Sequence, residues 1–176
     1  MRIIRGKWQG RQIPFPKGAP TRPLTEKARE ALFNILSNRW TIEGSRVIDL
    51  FAGAGTVGLE FLSRGAAHVT FVERDNQAAS LLRSLVHQWN APAEVYQEDV
   101  LQFLQRPPQP ADFVFAGPPF RYWQKKLVIT LIFSRGWLCP GGCFILEHPV
   151  YESYREMPYF WREERYVASA LSFFRG

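Results

Sequence analysis

The chain has 176 residues, 46% hydrophobic and 15% aromatic, enough apolar material for one packed domain with at most a small appendage. It carries 22 Lys and Arg against 16 Asp and Glu, a formal charge of +6. No apolar run reaches the length of a membrane span, no signal-peptide core is expected at the N-terminus, and the two cysteines fit a reduced, cytoplasmic setting.

The basic excess is local. Residues 1–30 hold eight Lys and Arg and two acids, whereas the remaining residues hold fourteen of each sign. Within this arm, MRIIRGKWQGRQIPFP has two short alternating runs that predict a small β-hairpin. Such an arm suits a phosphate backbone, with Arg2, Arg5, Lys7, Arg11 and Arg22 as candidate contacts; the plainer reading is a solvated basic surface. A loop with Gly18, Pro20 and Pro23 follows, and Thr25 then reads as the N-cap of a helix with a stripe at Ala28, Leu32, Ile35 and Leu36. Residues 1–40 therefore read as a hairpin-and-helix extension for nucleic-acid docking, RNA by the resemblance given below, and 41–176 as the main domain.

From there, strands and helical patterns alternate. Strands are expected at 46–50, 68–72, 93–96 and 111–115, and helices at 56–64, 75–89, just after Asp99, and 122–134. Cys139–Cys143, CPGGC, reads as a turn before the strand CFILEH, with too few ligands nearby for a metal. Two strands in 161–174 close the chain as an antiparallel edge hairpin. The pattern predicts an α/β fold around a mostly parallel seven-stranded sheet, with ligands outside the carboxyl ends of the strands.

The segment Val47–Gly58, VIDLFAGAGTVG, lies at such an end. Gly53, Gly55 and Gly58 give a tight turn and close approach to a ligand, a weak signal alone. Asp49 sharpens it, because a carboxylate there repels a pyrophosphate and suits a cationic group such as the amino end of S-adenosylmethionine. Glu73, in FVERD, ends the next strand, where an acid accepts from ribose hydroxyls. Asp99 and Val100 are placed to meet an adenine, although Asp99 also reads as a helix cap, as does Asp75. Gly117–Pro118–Pro119–Phe120 follows the fourth strand, with Phe120 as a stacking surface for an extruded base or, more plainly, a core aromatic. The three histidines pair with no nucleophile.

RIIRGKWQGRQI, TRPLTEKAREALFNIL, VIDLFAGAGTVGLEFLSRGA, FVERD, EDV and GPPF stand in the order seen in bacterial 16S rRNA guanine-N2 methyltransferases, and the chain resembles the group that acts on guanine 966. The resemblance spans nearly the whole chain. It implies a class I, Rossmann-like methyltransferase fold, S-adenosylmethionine as donor, and 16S rRNA or the assembling small subunit as partner. By position it implies that Asp49, Phe51, Gly53, Gly55, Glu73, Asp99 and Val100 bind the cofactor. The loop Gly117, Pro118, Pro119 and Phe120 is the implied catalytic segment, in a monomer without metal or membrane contact. The family has Asp or Asn at the first loop position, where the side chain accepts from the exocyclic amine. Gly117 has no such side chain, and Asp112, five residues earlier on an extended strand, is roughly 16 Å away. The Pro118 carbonyl is the remaining acceptor, and Asp or Asn at 117 is expected to raise turnover. Two other classes stay open: an RNA-binding protein that keeps the cofactor pocket with weakened catalysis, and a nicotinamide-dependent oxidoreductase.

Overall fold

Short β-branched and aromatic runs form the strands, and a helix separates each pair of successive parallel strands. The structure, a computed structural model, describes residues 1–18 and 23–176. The strands are β1 (Arg46–Leu50), β2 (His68–Val72), β3 (Ala93–Tyr96), β4 (Ala111–Ala116), β5 (Leu138–His148), β6 (Phe160–Arg165) and β7 (Ala170–Arg175). The helices are α1 (Glu26–Arg39), α2 (Thr56–Ser63), α3 (Asn76–Gln88), α4 (Val100–Phe103) and α5 (Lys125–Ser134). They surround a seven-stranded sheet of order β3-β2-β1-β4-β5-β7-β6. β1 to β5 are parallel, and β7 runs antiparallel between β5 and β6. The order reverses between β1 and β4, which opens a ligand crevice at their carboxyl ends.

Local chemistry sets the element ends. Thr25 accepts from the Ala28 amide at 3.1 Å and starts α1, and Asp75 accepts from the Ala78 amide at 2.9 Å and starts α3. Two expectations shift. CPGG is not a turn before β5 but lies within it, where Gly141 at φ 81° and a register shift between Ala111 and Phe113 absorb the irregularity. The closing run YVASALSFF divides, with β7 beginning only at Ala170.

The N-terminal segment makes one antiparallel bridge, Arg2 with Gln12, supported by Ile3 N–H donating to Arg11 and Ile13 N–H donating to Met1. Ile3, Trp8 and Ile13 are buried in the same apolar cluster as Phe33, Phe61 and Phe71. Glu60, buried on α2, fastens this segment. Its Oε1 accepts from the Ile4 amide and Arg29 Nη1, both at 2.9 Å. Its Oε2 accepts from the Arg5 amide at 3.1 Å and Arg64 Nε at 2.9 Å.

Candidate active site

The carboxyl ends of β1, β2, β4 and β5 converge on one crevice. Asp49, near the end of β1, is buried and accepts from the Gly58 amide at 3.0 Å. Gly58 permits that approach: a Cβ there would lie 2.3 Å from Phe71 Cε1 and 3.0 Å from Asp49 Oδ2. Burial pushes the Asp49 carboxyl up to about 8, opposed by the Gly58 amide and reinforced by the charge of Glu73. Among the described residues no cation contributes to its surroundings. Phe51 follows in a left-handed conformation, φ 57°, costly for a residue with a side chain and found mostly where the surroundings hold it in place. Its ring meets Tyr122 edge-on at 4.9 Å.

Glu73 ties the turn to the next strand. Its Oε1 accepts from the Gly53 amide and its Oε2 from the Asp75 amide, both at 2.8 Å. Each oxygen retains capacity for a further donor. Asp99 caps α4 through Oδ2, which accepts from the Leu101 amide at 3.0 Å and the Gln102 amide at 3.3 Å. The cap and the pocket role are compatible, because Asp99, Val100, Glu73, Phe51 and Gly53 all line one cavity of about 410 Å³. Tyr122 lines it too, and its buried hydroxyl has no hydrogen-bond partner among the described residues. Burial pushes that hydroxyl up to about 12, so it remains a neutral donor.

A second cleft of about 810 Å³ runs along the other side of the loop after β4. Pro118, Pro119, Phe120 and Glu147 form one part of its wall, and Met1 and Pro23 another. Pro119 borders both the cleft and the 410 Å³ cavity. A smaller space between them is shared by Asp49, Gly53, Gly117 and Glu147. Gly55 is not among its lining residues; it is the N-cap of α2, in a left-handed conformation at φ 80°.

Lys125 holds the loop in place. Its buried ammonium donates to the Phe120 carbonyl at 2.9 Å and the Tyr122 carbonyl at 2.7 Å, and pairs with Glu152 at 3.3 Å. Sequence reasoning missed Lys125, Tyr122 and Glu147. A lysine at the start of an apolar helix was the signal for the first. An acid at the carboxyl end of a parallel strand, the same signal that marks Asp49, was available for Glu147.

The candidate RNA contacts divide. Arg2 pairs with Glu26 at 3.0 Å and Arg5 with Glu30 at 3.3 Å. Lys7 lies 4.7 Å above the Trp8 ring, and Arg11 lies over both Trp8 and Trp89. Arg22 falls outside the described residues. Arg29, counted in the basic excess of the arm, is fully buried against Glu60. Among the described residues no cluster of three or more His, Cys, Asp or Glu could hold a metal, and no helix is long and apolar enough to cross a membrane.

The family described as Conserved hypothetical protein 95 matches residues 1–175. Ribosomal RNA small subunit methyltransferase D of Escherichia coli K12 is 35% identical over 166 residues, covering 94% of this chain and 83% of that protein. Hypothetical protein TTHA0928 of Thermus thermophilus has the same fold at TM-score 0.88 and 30% identity, covering 100% of this chain and 99% of that one. The T. thermophilus 16S rRNA N2 G1207 methyltransferase RsmC, in complex with AdoMet and guanosine, shares the fold at TM-score 0.70 and 22% identity, over 88% of this chain and 44% of that one.

Proposed function

The chain belongs to the conserved hypothetical protein 95 family, and we propose that it transfers a methyl group from S-adenosylmethionine to the exocyclic N2 of a guanine in 16S ribosomal RNA. The fold is that of the class I methyltransferases, and the relatives are small-subunit rRNA methyltransferases. The observation that carries the reading is Pro119, which borders both the cofactor cavity and the open cleft. A base laid in the cleft against Phe120 therefore meets the donor at the GPPF loop.

The residues present fit S-adenosylmethionine. Asp49 is a buried carboxylate without a neighbouring cation among the described residues, a complement to the ammonium of the methionyl end. Tyr122 lines the cofactor cavity and packs edge-on against Phe51. Glu73 takes the ribose hydroxyls, Asp99 and Val100 face the adenine, and Phe51, Gly53 and Gly55 form the turn beneath the methionyl and ribose parts. When bound, the cofactor supplies an electrophilic methyl carbon. The protein contributes alignment and exclusion of water more than acid–base chemistry. Lys125, bonded to the Phe120 and Tyr122 carbonyls, is a positioning residue for the loop.

Arg2, Arg5, Lys7, Arg11 and Arg22 serve as the phosphate-facing arm of a 1–40 docking extension. The protein acts as a monomer without metal in the cytoplasm. The nicotinamide reading is not favoured, because the relatives are rRNA methyltransferases. The binding-only reading is not favoured either, since the relatives are methyltransferases.

The test is incubation with labelled S-adenosylmethionine and unmodified small-subunit rRNA, naked and assembled, followed by mapping of the label. Label on N2 of one guanine is expected. Label elsewhere on the RNA, or none on either substrate, would overturn the reading.

A further inference from the structure

Resting on that reading, we infer that Glu147 is the carboxylate that holds the target guanine, accepting hydrogen bonds from its N1–H and N2–H. The register of the sheet brings it there. Ala116 of β4 pairs with Leu146 of β5, so the next residues, Gly117 and Glu147, lie side by side where these strands end. Asp49 aligns with Phe115, and Phe115 with Ile145. Glu147 stands two residues beyond Ile145 and therefore shares the sheet face of Asp49.

Gly117 makes room for it. A Cβ on Gly117 would lie 3.2 Å from Glu147 Oε1 and 3.2 Å from Phe115 Cε1. The backbone at Gly117 lies outside the left-handed region, so conformation does not require glycine there. What glycine leaves is space, and the carboxylate of Glu147 borders it. Glu147 is 9% exposed and lines both the cleft with Phe120 and the small space with Asp49 and Gly53. Among the described residues the cleft has one other acid, Glu26, which is far more exposed.

The chemistry matches guanine. Its N1–H and N2–H point the same way on one edge, and a carboxylate offers two oxygens at matching spacing. Adenine has no donor at N1 and no amine at C2, so the same carboxylate rejects it. Held in this way, the N2 amine lies at the junction of the cleft and the cofactor cavity. The N2 lone pair forms the bond to the methyl carbon as the carbon–sulfur bond breaks, its electron pair staying on sulfur and neutralising the sulfonium. The resulting N2 cation gives one proton to the Glu147 carboxylate, which passes it to water. A carboxylate aimed at that developing charge stabilises it before the proton leaves.

The experiment uses the full chain, Glu147→Gln and Glu147→Ala. S-adenosylhomocysteine affinity comes first and is expected to be unchanged, which shows a folded cofactor site. Methyl transfer to small-subunit rRNA is then measured, with kcat expected to fall about 10²–10³-fold in both variants. The independent readout is binding, with S-adenosylhomocysteine present, of an rRNA fragment carrying guanosine or inosine at the mapped position. Wild type is expected to prefer guanosine about 10- to 100-fold, and both variants to lose that preference. Glu147→Gln keeps the side-chain volume and decides the matter if Glu147→Ala does not fold. Methylation by wild type together with undiminished kcat and preference in Glu147→Gln would overturn the role of Glu147 alone. Absence of methylation by wild type would instead overturn the proposed function.

Discussion

Glu60 on helix α2 and Asp49, which accepts from the α2 amide of Gly58, are both buried carboxylates, and their surroundings are opposite. Glu60 accepts four hydrogen bonds, two of them from the guanidinium groups of Arg29 and Arg64. Among the described residues Asp49 accepts one, from Gly58, and burial pushes its carboxyl up to about 8. Burying a charge is costly unless it is paired and hydrogen-bonded. Glu60 meets that requirement from within the chain and clamps the N-terminal segment to α2. Asp49 does not meet it from the described residues, and under the proposed function its partner is the cationic end of the cofactor. The one carboxylate belongs to the architecture and the other to the proposed cofactor site.

The largest expected effect breaks the first half of this contrast. Glu60→Leu removes one member of a buried pair and leaves Arg29 without its counter-charge, at a cost of about 3–5 kcal/mol. Chemical denaturation measures it. A loss below about 1 kcal/mol would show that the clamp is dispensable.

Asp49→Asn tests the second half. S-adenosylhomocysteine binding should weaken by about 1–3 kcal/mol, as expected for a lost charged hydrogen bond. Stability of the ligand-free protein at pH 8 should not fall, because no paired charge is removed. The folded value of Asp49 lies above its ordinary 3.8, so the native state binds the proton more tightly. Its contribution to stability is fully present below about 4 and is lost as pH rises toward 8. Binding of a cationic ligand runs the other way. Affinity should rise by up to about tenfold per pH unit below 8, with proton release on binding, and Asp49→Asn should flatten that slope. Calorimetry in two buffers of different ionisation enthalpy measures the proton. No proton release by wild type at pH 6 would place the ammonium away from Asp49.

Gly117→Asp sharpens the comparison at the crevice. From the family pattern alone, an acid there should raise turnover. In the folded protein its Cβ would press on Glu147 Oε1 at 3.2 Å and set a second carboxylate beside the first. Methyl transfer should therefore fall, with crowding of about 1–3 kcal/mol. Turnover above that of wild type would show that Gly117 is a defect after all.

The smallest effect concerns the arm, where cations paired with acids and cations set over rings invite the same contrast. Arg2 and Arg5 are held by Glu26 and Glu30, whereas Lys7 and Arg11 sit over the Trp8 and Trp89 rings. Lys7→Gln with Arg11→Gln should reduce the slope of log affinity for rRNA against log salt by about 1.4–1.8. An unchanged slope would leave these residues as ordinary solvated surface. Deleting residues 1–16 is not the matching test, because Ile3, Trp8 and Ile13 belong to the core.

Periodicity and punctuation made most of the fold legible. Strand positions from 46 to 116 and the caps at Thr25, Asp75 and Asp99 follow from local propensity, which acts over a few residues. The irregular start of β5 was not legible, because CPGG looks like a turn unless the neighbouring strand is known.

The sequence by itself determined the glycine turn, the acids at the ends of the strands, and the concentration of positive charge in the first thirty residues. Each is a property of a short stretch, and alternation, caps and glycines write such properties into the chain directly. Only the tertiary structure decided that Arg29 leaves the arm to meet Glu60, that Lys125 holds the GPPF loop, and that Glu147 stands beside Gly117. Glu147 lies thirty residues beyond Gly117, and a helix separates them in the chain. Their meeting depends on the register of two parallel strands, which is set by packing against the core, and no spacing within either strand encodes it.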